Sequence, residues 1–180
     1  MDRALFASSA RSLGKGLAKD ALGTSNEHVK VMLDDPVTTD MWCNAAAQLA
    51  RGEVPEPIAR GIAIGRMTGL DKGEGKVRGI VTGSCFRRLV AKTLAKQLSS
   101  QIEEATAPFQ FALSARAGTD ALGHLLRATS GLDPDAVIIA IDGVGAFDHI
   151  LRREIFNGLL DDPSLSPLVP FVRLFYGEPS

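Results

Sequence analysis

The sequence predicts an α+β fold in which helices accompany one β-hairpin and one further strand. Apolar residues recur at helical spacing in several segments, two partly alternating segments flank a glycine-rich turn, and a continuous β-branched run covers residues 136–141. The composition is that of a globular protein, with 45% hydrophobic and 23% charged residues. These observations exclude a collagen-like, fibrous or wholly disordered chain.

The N-terminal region predicts two helices. Apolar residues recur at loose helical spacing from Ala4 to Leu22. Asp35-Pro36 is a typical helix start, and Gly52 stands where a helix end is expected, so a second helix is predicted through Ala50. Val54 to Pro57 then breaks regular structure, which defines an N-terminal helical region at residues 1–57.

The next region predicts a β-hairpin followed by a long helix. Ile58 to Leu70 and Val77 to Thr82 form the arms of the hairpin, and Gly73-Glu74-Gly75 forms its turn. Ser84 is placed to cap the following helix, whose apolar residues keep a period of 3.6 as far as Ile102.

Basic residues concentrate in residues 60–100, where nine Lys and Arg stand against two acidic residues, a net charge of +7 within a chain of net charge -1. Such a block is typical of a surface that meets phosphates. Arg88, Lys92 and Lys96 are spaced four residues apart and form one helical stripe. The nucleic-acid-binding residues predicted from this pattern are Arg87, Arg88, Lys92 and Lys96. A solvated helix face accounts for the same charges equally well.

The apolar run from Ala136 to Ile141 predicts a buried strand that ends at Asp142. A carboxylate in this position is well placed to bind a divalent cation, and a cap of the next turn is the alternative role. A GTPase is excluded because the chain lacks a P-loop, although Asp142 and Gly145 fit its Asp-x-x-Gly motif. A haloacid-dehalogenase-like phosphatase is excluded because Val144 occupies the place of its second aspartate.

The segment at residues 142–148, Asp-Gly-Val-Gly-Ala-Phe-Asp, resembles the first palm motif of reverse transcriptases, in which a strand ends in Asp-x-x-x-Ala-Phe-Asp. Segments upstream resemble, in family order, the finger hairpin, the helix that follows it in non-LTR (LINE-type) retrotransposon enzymes, and the next segment of that family. These segments are Gly65-Arg66, Lys72, Lys76 to Ile80, Gly83, Arg87 to Lys92, Pro108 to Phe111 and Ala117 to Ala121. The order agrees across residues 53–176. Gly79 departs from the family, which commonly has proline there, and Gly143-Val144-Gly145 replaces larger or polar residues.

The resemblance implies an RNA-directed DNA polymerase with a fingers-palm fold, in which two Mg²⁺ or Mn²⁺ ions promote nucleotidyl transfer. It implies that Asp142 is the catalytic, metal-bridging residue and that the carbonyl of Gly143 is a second metal ligand. It further implies that four residues contact the nucleotide, with Phe147 excluding a ribose 2′-hydroxyl: Lys72, Arg78, Ala146 and Phe147. The implied partners are an RNA template, a DNA primer, a dNTP, and the remainder of the palm and thumb.

The resemblance also predicts an incomplete polymerase, since two metals need carboxylates that the family supplies from a downstream aromatic-x-Asp-Asp hairpin. Asp34-Asp35 precedes every finger motif, and Asp161-Asp162 ends a helix before Pro163, so neither pair fits that hairpin. We therefore expect a fingers-like region at residues 58–135 and a truncated palm start at residues 136–180, inactive alone. A non-catalytic nucleic-acid-binding remnant and a structural α/β scaffold that binds a partner protein remain the alternatives.

The sequence also predicts an intracellular protein, nuclear or cytoplasmic, that has no membrane contact and is not secreted. The longest apolar run stops at Asp142, and the first ten residues are too short and polar for a secretory signal. Cys43 and Cys85 are too few for a disulfide framework, so both are expected to be reduced.

Overall fold

The computed structural model describes residues 1–112, 116–143, 145 and 149–177, and it confirms the predicted α+β class. The elements before the hairpin are α1 (Arg3–Arg11), α2 (Asn26–Val31), α3 (Pro36–Ala50) and α4 (Glu56–Ala63). The hairpin consists of β1 (Gly65–Asp71) and β2 (Val77–Gly83). It is followed by α5 (Cys85–Gln97), α6 (Ser99–Thr106), α7 (Gly118–Leu132), α8 (Arg152–Asp161), a 3₁₀ turn (Ser166–Leu168) and α9 (Val169–Tyr176).

Local capping explains where the N-terminal helices begin and end. The Asp35 carboxylate accepts a hydrogen bond of 2.7 Å from the Thr38 amide at the start of α3, and Gly52 follows the helix with φ +71°. The prediction for α3 is thus confirmed. The predicted helix from Ala4 to Leu22 ends early, at Arg11, because Gly14 and Gly16 oppose helix propagation.

The hairpin is confirmed, with antiparallel pairs from Gly65 opposite Gly83 to Asp71 opposite Val77. Its turn needs three successive residues with positive φ, which are Gly73 at +80°, Glu74 at +55° and Gly75 at +71°. The expectation that the first arm starts at Ile58 is wrong, since α4 occupies that segment with Pro57 in its first turn.

The long helix predicted from Ser84 through Ile102 is divided in two. Helix α5 ends at Gln97, and α6 begins at Ser99 after Leu98, whose backbone is not helical. Leu98 is nevertheless buried. The apolar period is therefore a correct guide to burial although the helix is interrupted.

Residues 1–97 and 167–177 form one compact unit with a continuous apolar core. Helices α1, α3, α5 and α9 supply fully or almost fully buried side chains, including Phe6, Leu49, Leu89 and Phe171. The Trp42 and Phe86 rings pack edge to face with centroids 5.1 Å apart.

Both cysteines are buried free thiols, as expected. Burial raises the pKa of the Cys43 thiol and opposes thiolate formation, which is typical of an unreactive core cysteine.

Residues 98–166 form a second unit, in which the predicted buried strand is not found. Residues 136–141 have no strand structure, and Val137, Ile139 and Ile141 are 83%, 76% and 91% exposed. A strand needs a hydrogen-bonded neighbour, and no described residue pairs with this segment. The helix that was expected to end at Asp161-Asp162 is confirmed as α8, Arg152–Asp161.

The functional division predicted at residues 57 and 135 stays a prediction. Over the described ranges, none of the helices combines the length and the apolar character needed to cross a membrane.

Candidate nucleic-acid interface

The register of the hairpin divides it into a basic face and an apolar face. Because side chains alternate along a strand, Arg66 and Leu70 of β1 share one face with Ile80 and Arg78 of β2. Arg66 and Arg78 stand four residue pairs apart, about 14 Å along the ribbon. The opposite face carries Met67, Asp71, Val77 and Val81. It also carries the four glycines of the strands, Gly65, Gly69, Gly79 and Gly83.

The glycine-rich turn brings Lys72 close to the arm that carries Arg78. The Lys72 amide donates a 2.9 Å hydrogen bond to the Lys76 carbonyl, and the Asp71 carboxylate accepts one of 2.8 Å from the Gly73 amide. The Lys76 ammonium lies 3.2 Å from Glu74 in an ion pair whose side chains are both more than 70% exposed, so this pair contributes little stability.

The cations of the basic face are available to a ligand. The side chains of Arg66, Lys72 and Arg78 are exposed, and within the described residues none of the three has a hydrogen bond or an ion pair. Among the described residues, the hairpin therefore presents three unpaired positive charges, Lys72 and Arg78 beside the glycine-rich turn and Arg66 near the base. Guanidinium and ammonium groups in such a setting bind phosphate oxygens well.

The cations predicted on α5 have a different environment. Arg88 donates from Nη2 to the Cys85 sulfur at 3.1 Å, and Lys92 donates from Nζ to the Ser12 carbonyl at 3.3 Å. The Arg87 guanidinium lies over the Phe175 ring, 4.8 Å from its centroid. All three side chains are half-buried, whereas Lys96 is exposed in the last helical turn. The structure thus gives Arg87, Arg88 and Lys92 contacts inside the protein, and their binding of nucleic acid stays a prediction.

Asp20 was not identified from the sequence, yet it caps α5 from 65 residues away. Its buried carboxylate accepts hydrogen bonds from the amides of Cys85 at 2.9 Å, Thr24 at 2.8 Å and Leu22 at 3.0 Å. Burial alone would raise the Asp20 pKa, but these three hydrogen bonds and the charge of Arg88 outweigh it and lower the pKa. The local signal was the turn sequence Asp20 to Gly23, in which the aspartate bonds an amide two residues on.

Asp142 and Gly143 follow the exposed segment at residues 136–141 and are themselves exposed. Ala146 and Phe147, the other predicted nucleotide-site residues of this segment, lie outside the described residues. Among the residues that are described, no group of three or more His, Cys, Asp and Glu is placed to hold a metal ion.

One aspartate of each Asp-Asp pair has a local structural role, and the exclusion of the pairs from the metal site stays a prediction. Asp35 caps α3, and the Asp162 carboxylate accepts a 2.8 Å hydrogen bond from the Ser164 amide in the turn after α8. Hydrogen bonds from Ser164 lower the pKa of Asp162.

Comparison with known proteins gives one informative similarity. The chain is 24% identical over 172 residues to the Retrotransposable element SLACS 132 kDa protein of Trypanosoma brucei gambiense. The match covers 93% of this chain but only 14% of the relative. No family model and no solved structure matches the chain. The chain is therefore similar, over nearly its whole length, to a small part of a retrotransposable element protein.

Proposed function

We propose that this chain is part of the reverse transcriptase of a non-LTR retrotransposable element and that it contributes the fingers hairpin and the beginning of the palm. The similarity to a retrotransposable element protein over 93% of the chain supports this proposal. The order of the finger and palm motifs supports it further. The observation that carries it is the hairpin, whose unpaired cations flank a glycine-rich turn.

In this function the basic face of the hairpin binds phosphates. Lys72 and Arg78 hold the triphosphate of the incoming dNTP, and Arg66 extends the same positive face toward the base of the hairpin. Glycines in the turn let a phosphate approach the backbone, because no Cβ stands in the way. The nucleic-acid partners are an RNA template and a DNA primer.

Polymerisation would need two divalent ions, and the described residues do not complete a site for them. Asp142 and the Gly143 carbonyl are the oxygen ligands that the family resemblance assigns within the described residues, and oxygen ligands suit Mg²⁺. A single exposed carboxylate does not hold two ions, so further carboxylates must come from outside the described residues. We therefore assign no catalytic step to the chain.

The incomplete set of metal ligands favours a second candidate, a protein that binds nucleic acid without catalysis. The two candidates share the basic hairpin and differ at Asp142. A polymerase needs that carboxylate for nucleotide addition, whereas a binding protein does not.

Primer extension by the full-length protein of the element separates the two candidates. Asp142→Asn keeps the size of the side chain and removes its charge, so nucleotide addition should fall by several orders of magnitude while primer-template binding stays unchanged. Asp135→Asn, a matched change in the same segment, should leave both unchanged. Full activity of Asp142→Asn would contradict the polymerase assignment.

A further inference from the structure

Arg87 lies at the base of the hairpin, between the end of β2 and helix α9. Its guanidinium carbon is 4.8 Å from the centroid of the Phe175 ring. A Cβ built on Gly83 would lie 2.9 Å from Nη2 and 3.5 Å from Cζ of Arg87. The guanidinium therefore occupies the space that a side chain at position 83 would fill.

Phe175 connects this contact to the core. Its ring packs at 5.2 Å and 68° against that of Phe171, which is 8% exposed and belongs to the core cluster. Helix α9 also packs against α3 and α4, and only Ile64 separates the end of α4 at Ala63 from the start of β1 at Gly65. Helix α9 thus supports both strands at the base of the hairpin. It supports β1 through α4 and β2 through Arg87.

The remainder of the hairpin has little support of its own. Its strands make their main contacts with each other, and most of their side chains are exposed. A two-stranded ribbon without a packed face is only marginally stable and is free to pivot at its ends. The direction in which the hairpin projects therefore depends on the contacts at its base.

We infer that Arg87 is a positioning residue, which fixes the angle of the hairpin through its contacts with Gly83 and Phe175. This role differs from the direct nucleic-acid contact predicted from the sequence. The positioning role itself is argued from the contacts. Its consequence rests on the proposed function, since a fixed angle presents Lys72 and Arg78 to a triphosphate in one orientation.

Spin-label distances test the orientation directly. One label at Glu74→Cys reports the tip of the hairpin, and one at Met41→Cys reports the exposed surface of α3, where Met41 is 66% exposed. The native cysteines are buried and will label poorly. Emission of the single tryptophan, Trp42, which packs against Phe86, reports whether the core beside Arg87 is intact.

Three substitutions remove the contact in different ways. Arg87→Met removes the charge, Phe175→Leu removes the ring, and Gly83→Ala displaces the end of the arginine side chain, since the new Cβ would lie 2.9 Å from Nη2. Arg87→Lys keeps a cation beside Phe175, so its distance distribution should lie between those of the wild type and Arg87→Met. Arg60→Met is the matched control, because Arg60 is an exposed cation on α4 that forms an ion pair with Glu56.

The three substitutions should widen the distance distribution and speed amide exchange at the base of β2 about two- to five-fold, the range expected for loss of a cation–π contact. Trp42 emission and the Arg60→Met distribution should match the wild type. An unchanged distribution in Arg87→Met would overturn the inference. If Trp42 emission shows that Arg87→Met perturbs the core, the Gly83→Ala variant is the test. A wild-type distance distribution in folded Gly83→Ala would then overturn the inference.

Affinity for dATP separates this inference from the proposed function. If the wild type binds dATP, the widened variants should bind it more weakly and Arg87→Lys should recover part of the loss. A wild type that binds no dATP contradicts the proposed function, and the distance distributions then decide the role of Arg87 by themselves.

Discussion

The hairpin at residues 65–83 and helix α5 share the most basic stretch of the chain, and they use their cations in opposite ways. Arg66, Lys72 and Arg78 of the hairpin are exposed and unpaired among the described residues. Arg87 and Arg88 of α5, by contrast, contact a ring and a sulfur inside the same unit. The net charge of +7 over residues 60–100 therefore comes from two kinds of cation, those of the hairpin that extend into solvent and those of α5 that contact the protein.

The difference follows from the geometry of the two elements. Helix α5 buries one face, with Leu89, Val90 and Thr93 almost inaccessible, so long side chains beside that face lie along the protein surface. The hairpin buries neither face, and its cations extend into solvent. Position in the fold, more than charge, decides which cations remain available to phosphates.

The largest effect on stability is expected at Asp20, which holds the start of α5. Asp20→Ala leaves three amide donors without their acceptor, and we expect the free energy of unfolding to fall by about 3 kcal/mol in a urea titration. Asp162→Ala, which removes a half-buried turn aspartate that accepts a hydrogen bond from the Ser164 amide, is the control and should have a smaller effect. Equal effects of the two substitutions would show that Asp20 does not hold α5.

Substitution of the contacting cations of α5 should also destabilise the protein. For the triple variant Arg87→Gln, Arg88→Gln and Lys92→Gln we expect a loss of about 2 kcal/mol, since a cation–π contact and two charged hydrogen bonds disappear. The hairpin variant Arg66→Gln, Lys72→Gln and Arg78→Gln should stay within about 0.5 kcal/mol of the wild type, as is usual for exposed positions. A hairpin variant as unstable as the α5 variant would remove the distinction between the two regions.

A smaller effect is expected from pH. The Asp20 pKa is lower in the folded protein than its ordinary value of 3.8, so the carboxylate stabilises the fold above that value. This stabilisation is lost as the pH falls below 3.8 through the folded pKa. Urea titrations from pH 6 down to about pH 3 should show a smaller acid loss in Asp20→Asn than in the wild type. Identical slopes would contradict the role of the charged carboxylate.

The sequence was sufficient where the signal is local. Asp35-Pro36 and Gly52 lie at the two ends of α3, and the Gly73-Glu74-Gly75 turn needs positive φ at three positions, so both elements were predictable. The resemblance to retrotransposon proteins was also readable from the sequence, and the similarity to a retrotransposable element protein supports it at that level.

Long-range contacts were not predictable. The bonds of Lys92 to Ser12 and of Asp20 to Cys85 join residues 80 and 65 positions apart, and no local pattern specifies them. The run at residues 136–141 has the composition of a buried strand, but burial requires a neighbouring strand, and composition does not supply one. For the same reason, the roles of Asp142 and Gly143 stay predictions.

Our proposal is that the hairpin, and not α5, supplies the phosphate contacts. Its most direct test is the slope of log affinity against log salt for an RNA–DNA primer-template duplex, measured by fluorescence anisotropy for the wild type and the two triple variants. The hairpin variant should lose about 0.9 from the magnitude of the slope, since Arg66 is the hairpin cation that is not assigned to the dNTP triphosphate and each lost phosphate contact reduces the slope by about that amount. The α5 variant, in conditions where it is folded, should keep a slope near that of the wild type. A hairpin variant with the wild-type slope, together with an α5 variant that loses it, would contradict the account.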